Sequence, residues 1–193
     1  MELLDPTTYH DVVAEWVKAE HGSPFTDFGQ AFNDEEAPVA WALEPDLADL
    51  EQNAVRAGIL ALLRPMVLAL PADTAWSRAR ASRDDLKTFL YLNGADWIEL
   101  SGGSRRIGDG ARLFNSSCHD DALRSAVHRI RRKVLAGRIF PPLIAISNLV
   151  LDRIVVIEGS KRATAYLFGR KAVINEIALV VGQSANMNDF PYW

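Results

Sequence analysis

Residues 153–167, Arg-Ile-Val-Val-Ile-Glu-Gly-Ser-Lys-Arg-Ala-Thr-Ala-Tyr-Leu, constrain the fold more than any other part of the chain. The β-branched apolar run from Ile154 to Ile157 predicts a buried strand. Glu158-Gly159 predicts a tight turn, and Ser160 opens a helix-compatible run. A strand feeding a helix through a glycine places the unpaired N–H groups of the helix's first turn where an anion can approach the backbone closely. Lys161 and Arg162 add formal charge there, the first as a point charge and the second as a bidentate fork. Cations at a helix N-terminus oppose the macrodipole, at a cost of about a few tenths of a kcal/mol, so their presence points to an anionic guest. Gly159, Ser160, Lys161 and Arg162 are therefore the candidate phosphate-binding residues.

Glu158-Gly159-Ser160-Lys161-Arg162, followed by Ala163 and Ala165, resembles the Gly-x-x-Arg turn of the ParB/sulfiredoxin superfamily. The surroundings are similar too. A helix-like run from Asp121 to Ala136 leads through Gly137 to the apolar segment Pro141 to Ile146. The strand ending at Glu158 follows, and after Phe168-Gly169 comes a last apolar strand from Val173 to Val181. The resemblance spans roughly residues 75 to 182. It implies an α/β fold: a ParB/sulfiredoxin-like core with a small mixed sheet and packed helices. The N-terminal part would then be a helical extension, dividing the chain into 1–70 (acidic, mostly helical) and 71–193 (core).

Within that superfamily the turn serves different reactions. Sulfiredoxins place a catalytic cysteine directly after the glycine, where this chain has Ser160, and the single cysteine, Cys118, lies elsewhere. Chromosome-partitioning ParB proteins carry Gly-Glu-Arg-Arg and bind CTP; Gly159 and Arg162 match, Lys161 keeps a charge, and Ser160 replaces the Glu linked with hydrolysis. Free-serine kinases carry Asp-Gly-His-His-Arg; Glu158, Gly159 and Arg162 are similar, while both histidines are missing. A bound phosphate is common to these comparisons. The resemblance therefore implies a nucleotide (ATP, ADP or CTP) or another phosphorylated small molecule as ligand, with Mg²⁺, and a phosphotransferase or nucleotide hydrolase as the activity. A nucleic-acid-associated ParB-like protein and a catalytically silent interaction module are the alternatives.

Glu158 is the candidate catalytic residue, since a carboxylate beside a phosphate can deprotonate an acceptor hydroxyl or hold Mg²⁺ through water. It can equally neutralise Lys161 or Arg162. Asp84, Asp85, Glu99, Asp120 and Asp121 are alternative carboxylates. The four histidines show no metal-ligand spacing, although His119-Asp120-Asp121 would suit either a divalent ion or a helix N-terminus.

A second glycine turn, Leu100-Ser101-Gly102-Gly103-Ser104-Arg105-Arg106, joins glycines, hydroxyls and cations. Successive N–H groups of Gly102, Gly103 and Ser104 would form an anion nest that Arg105 or Arg106 closes. The Gly-x-x-x-x-Gly-Lys-Ser/Thr spacing of a Walker A loop is absent. The bland reading is a surface turn.

Charge is distributed unevenly. Residues 1–50 carry twelve Asp and Glu against one Lys, whereas 101–138 hold nine Arg and Lys against Asp109, Asp120 and Asp121. The 121–136 helix would bury Leu123, Val127, Ile130 and Val134 and present Arg124, Arg131 and Arg132 elsewhere. Such a face either docks on the acidic segment or tracks a nucleic-acid backbone without sequence preference. No helix-turn-helix follows it, so sequence-specific DNA reading is not expected.

The remaining elements follow from periodicity and caps. Thr7 or Thr8 caps a helix from Tyr9 to His21, ended by Gly22-Ser23-Pro24, and 22–38 reads as a packed loop. A second helix runs from Pro45 or Asp46 to Leu63, burying Leu47, Leu50, Val55, Ile59 and Leu62. Pro65 breaks it, leaving Met66 to Leu70 as a strand or linker. Thr74 to Ala81 is the first core strand, and Ser82 caps the helix after it. The aromatic tail, Phe190 to Trp193, either stacks a base or packs on the domain. With 193 residues and 49% hydrophobic content the chain suits one globular domain. No apolar run reaches the roughly 18–20 residues needed to span a bilayer, no signal-peptide pattern opens the sequence, and one cysteine excludes an internal disulfide. A cytoplasmic protein away from membranes is the expectation.

Overall fold

The computed structural model describes residues 1–21, 28–35, 37–169, 174 and 176–193. In chain order the elements are β1 (Glu2–Thr7), α1 (Tyr9–Glu20), α2 (Phe28–Asp34), α3 (Ala40–Leu43) and α4 (Leu50–Leu63). A 3₁₀ turn (Pro65–Ala69) leads to β2 (Ala75–Ser82), α5 (Arg83–Thr88), β3 (Leu90–Tyr91) and α6 (Ala95–Leu100). Then come α7 (Ile107–Ser117), α8 (Asp121–Leu135), β4 (Leu143–Ser147), β5 (Ile154–Glu158), α9 (Ser160–Leu167) and β6 (Glu176–Gln183). A 3₁₀ turn at Met187–Asp189 is the last of these elements.

The strands form one mixed sheet in the order β1-β2-β6-β4-β5-β3. β4 runs parallel to β6 and β3 parallel to β5, while the β1/β2, β2/β6 and β4/β5 pairs are antiparallel. The chain is thus of the α/β class, and its second half follows the expected succession of helix, two strands, glycine turn, helix and strand.

Strand alternation explains the layering. Leu143, Ala145, Val156, Leu179 and Val181 face a cluster built with Leu86, Phe114 and Val127 from the 83–135 helices and with Ala163 and Ala165 of α9. Ile144, Ile146, Val155, Ile157 and Val180 face the opposite cluster, with Val13, Trp16, Phe28, Phe32, Ile59 and Leu60. Strands covered on both faces read as continuous apolar runs, which is why β4 and β5 are so uniformly hydrophobic. Residues 1–70 therefore supply the sheet's second helical layer, and packing runs across the boundary expected at residue 70.

The caps form as the sequence requires. Asp11 N–H donates to Thr8 Oγ1 (3.1 Å) while Thr8 N–H donates to the Asp11 carboxylate (3.1 Å). Ser82 and Asp85 repeat this reciprocal box at α5.

Several expectations are corrected. Residues 2–7 form an edge strand preceding the first helix; Pro6 is tolerated there because an edge strand has one unpaired side. Residues 66–70 lie mostly in a 3₁₀ turn, as Pro65 at its start favours. The 22–38 segment contains α2, with 22–27 and 36 outside the described residues, as is Val173, the expected start of the last strand. Helix α4 begins at Leu50, capped by Asp49, and turns Asn53, Arg56, Ile59 and Leu60 inward, leaving Leu50 76% exposed. Arg56 lies on this inward face. Fully buried, it donates to the carbonyls of Trp41 (3.0 Å) and Asp46 (3.2 Å) and so ties the preceding segment onto the helix. Among the described residues no helix is long and apolar enough to cross a membrane.

Candidate functional site

The strand-turn-helix forms as predicted. Gly159 sits at φ 95°, in the left-handed region, between the end of β5 and the start of α9. A Cβ there would lie 2.5 Å from Leu143 Cδ2 and 3.0 Å from Arg162 Nη2, so both conformation and packing demand glycine. No side chain caps α9, and the first intrahelical bond runs from Ala163 N–H to Gly159 O at 2.8 Å. Ser160, Lys161 and Arg162 thus contribute the first-turn N–H groups at which an anion is stabilised.

Arg162 has a different role from the one expected of it. Its side chain is 6% exposed. One guanidinium nitrogen donates to Pro141 O and, at 3.3 Å, to Pro142 O; the other donates to Glu158 Oε1 at 3.0 Å. The guanidinium ties α9 to the entry of β4 and holds the Glu158 carboxylate in place. It is a positioning residue, because its donors are committed to protein acceptors. Lys161 lines the cavity together with Arg162 and lies near Glu20, Glu158, Arg64 and Asp120. Burial pushes its ammonium below the ordinary lysine range, opposed by the nearby Glu20 and Glu158 charges.

The principal addition from the structure is Glu20. It ends α1, is 3% exposed, and its Oε1 accepts from Arg64 Nε (2.9 Å) and Nη2 (2.6 Å). Glu158 lines the same cavity, close enough for its charge to act on the Glu20 carboxyl. Burial, and then the negative charge of Glu158, push its pKa above the ordinary carboxylate range despite Arg64. Arg162 pairs with Glu158 at 3.0 Å, whereas Glu20 is held by Arg64.

These groups line a cavity of about 460 Å³ between α1, α8 and α9, within the roughly 300–1,000 Å³ range of small-molecule sites. Glu20, Arg64, Asp120, Glu158 and Lys161 make its charged part, with Arg129 and Lys133 of α8 also on its wall. Leu92, Trp97, Ile130, Phe140 and Pro141 make an apolar part. The basic helix accordingly has two kinds of arginine. Arg124 pairs with Asp121 (3.6 Å) and Arg131 donates to Phe168 O, whereas Arg129 borders the cavity. Asp120 caps α8 by accepting from Ala122 N–H (2.7 Å) and Leu123 N–H (3.1 Å), so the acidic pair there serves the helix start. Asp84 pairs with Lys87 at 2.6 Å and Asp85 belongs to the α5 cap. Among the described residues no three His, Cys, Asp or Glu side chains form a metal-holding group.

The second glycine turn is not part of this cavity. Gly102, Gly103 and Arg105 adopt φ of 63°, 90° and 59°, with Ser104 Oγ donating to the Asp109 carboxylate at 2.8 Å. The Arg105 guanidinium donates to Tyr91 O (2.8 Å) and Trp193 O (3.1 Å), clasping the C-terminal residues to β3. Its charge is used on backbone carbonyls, which corrects the expected anion nest. The tail packs inward through buried Met187 and Phe190, and Trp193 lies under Arg153 at 4.9 Å.

Sequence reading missed Glu20, Arg64 and Trp97. One signal was available for Glu20: an acid in the last turn of a helix opposes the macrodipole, as Lys161 does at the start of α9. No protein-family model matches the chain, and no curated protein or solved structure matches it.

Proposed function

We propose that the cavity at the start of α9 binds a nucleotide or another phosphorylated small molecule and catalyses phosphoryl transfer to an acceptor hydroxyl. The single observation that supports this reading most is the convergence of an uncapped helix N-terminus, Lys161 and the Glu20–Glu158 carboxyl pair in one cavity. Phosphoryl transfer needs positioning and charge neutralisation more than covalent chemistry. The first-turn N–H groups and Lys161 would hold the phosphate, with Arg64 adding positive charge behind Glu20. Glu158, held in place by Arg162 at 3.0 Å, would accept the acceptor's proton and release it to solvent once the product has left.

Mg²⁺ would arrive with the nucleotide's phosphates and supply charge neutralisation. Glu158, whose carboxylate Arg162 holds in place, is the residue that would hold it. The likeness of residues 158–162 to the ParB/sulfiredoxin turn supports the same ligand class.

The test is calorimetry with ATP, ADP and CTP, each with and without Mg²⁺, together with a product assay on Glu158→Gln. Binding by the wild type is expected, with turnover lowered about 10²- to 10⁴-fold in the variant and binding retained. A wild type that binds none of these ligands at millimolar concentration contradicts the binding reading. Full turnover in Glu158→Gln contradicts the role of that carboxylate.

A further inference from the structure

We propose that Trp97 is the platform on which the base of the bound nucleotide stacks, so that the cavity selects a phosphate ester with a flat aromatic body over a small polar one. The proposal rests on the phosphate-binding reading above and deepens it. Its starting point is the composition of the cavity wall. The charged part accounts for the phosphates, and it leaves Leu92, Trp97, Ile130, Phe140 and Pro141 lining the same space. Apolar walls of a ligand cavity gain from contact with a ligand of matching character.

Trp97 is built as a platform. Its ring stacks on Tyr91 with centroids 4.6 Å apart and planes 19° from parallel. Tyr91 is fully buried and covers one side of the indole, while Trp97 itself is half-buried and lines the cavity. An aromatic ring supported by a second ring and bordering the cavity can take a base by stacking with little loss of side-chain freedom on binding.

The platform is also tied to the phosphate end. The Tyr91 hydroxyl hydrogen-bonds Thr164 Oγ1 at 2.7 Å, and Thr164 Oγ1 donates to Ser160 O at 2.8 Å. Ser160 is the first residue of α9. A chain of three contacts therefore fixes the indole relative to the first helical turn, which is the condition for recognising both ends of one ligand.

The experiment compares ATP and CTP with tripolyphosphate, which carries the charge without the base, on the wild type, Trp97→Leu and Trp97→Phe. Calorimetry gives the affinities and a thermal melt of each variant reports folding. The wild type should bind the nucleotides more tightly than tripolyphosphate. Trp97→Leu should bind nucleotides about 5- to 150-fold more weakly with tripolyphosphate affinity unchanged, and Trp97→Phe should restore much of the loss. Equal wild-type affinity for nucleotides and tripolyphosphate overturns the proposal and leaves the phosphate site standing. So does a Trp97→Leu variant that loses both ligands equally, because the indole would then be only structural. If Trp97→Leu does not fold, Trp97→Phe and the wild-type comparison decide. A wild type that binds neither class of ligand overturns the phosphate reading and this inference together.

Discussion

Arg162→Ala should destabilise the protein by about 3 kcal/mol. Removing one partner of a buried ion pair costs about 3–5 kcal/mol, because the other charge is left uncompensated. The lower end applies here, since the Glu158 side chain is 18% exposed and can recruit water. The substitution also strips the donors from the carbonyls of Pro141 and Pro142. For a chain of 193 residues each kcal/mol moves Tm by about 2–4 °C, so the midpoint should fall by about 6–12 °C. Differential scanning calorimetry, supported by a urea midpoint at unchanged m-value, reads this directly. A variant that melts within about 2 °C of the wild type and loses only phosphate affinity would refute the reasoning, because Arg162 would then be a ligand-facing cation and not a tie between α9 and β4.

Gly159→Ala should cost about 2–4 kcal/mol, from the left-handed backbone and from the clash with the buried Leu143, and its urea midpoint should fall accordingly. Arg105→Ala should lower stability by about 1–3 kcal/mol by releasing the tail's carbonyls, with phosphate affinity measured by calorimetry unchanged. Glu20→Gln tests the raised carboxyl pKa through pH. The folded protein holds the Glu20 proton more tightly than the unfolded chain, so that stabilisation is complete below the ordinary value of 4.5 and is lost as pH rises through the folded value. Wild-type stability measured relative to Glu20→Gln should therefore fall as pH rises above that point and then level off; a difference that grows with pH would contradict the burial argument.

The second half of the fold was legible in the sequence because its signals are local. Apolar runs bounded by Ser147 and Glu158 define β4 and β5, and the glycine before Ser160 marks the turn into α9. The α4 face was misread because a fully buried arginine held by carbonyls breaks the rule that apolar positions point inward. The edge strand at residues 2–7 escaped because its pairing with β2 is long-range and its composition is polar. The site was half legible. Glu158, Gly159, Ser160 and Lys161 adjoin in sequence and line one cavity, whereas Glu20 and Arg64 arrive from the opposite helical layer. Residue types alone also could not show that Arg162 divides its guanidinium between Glu158 and the carbonyls of Pro141 and Pro142, or that Arg105 spends its own on backbone carbonyls away from the cavity.

The central claim is that an anionic phosphate binds at the first turn of α9, and amide NMR during a pyrophosphate titration tests it most directly. Lys161→Gln serves as the control, with its fold checked by the same spectrum. The amides of Ser160, Lys161 and Arg162 should shift first and saturate together, and Lys161→Gln should weaken the apparent affinity about tenfold or more. Shifts confined to Gly102–Arg106 or to the exposed face of α8, with the α9 amides unmoved at saturation, would contradict the account.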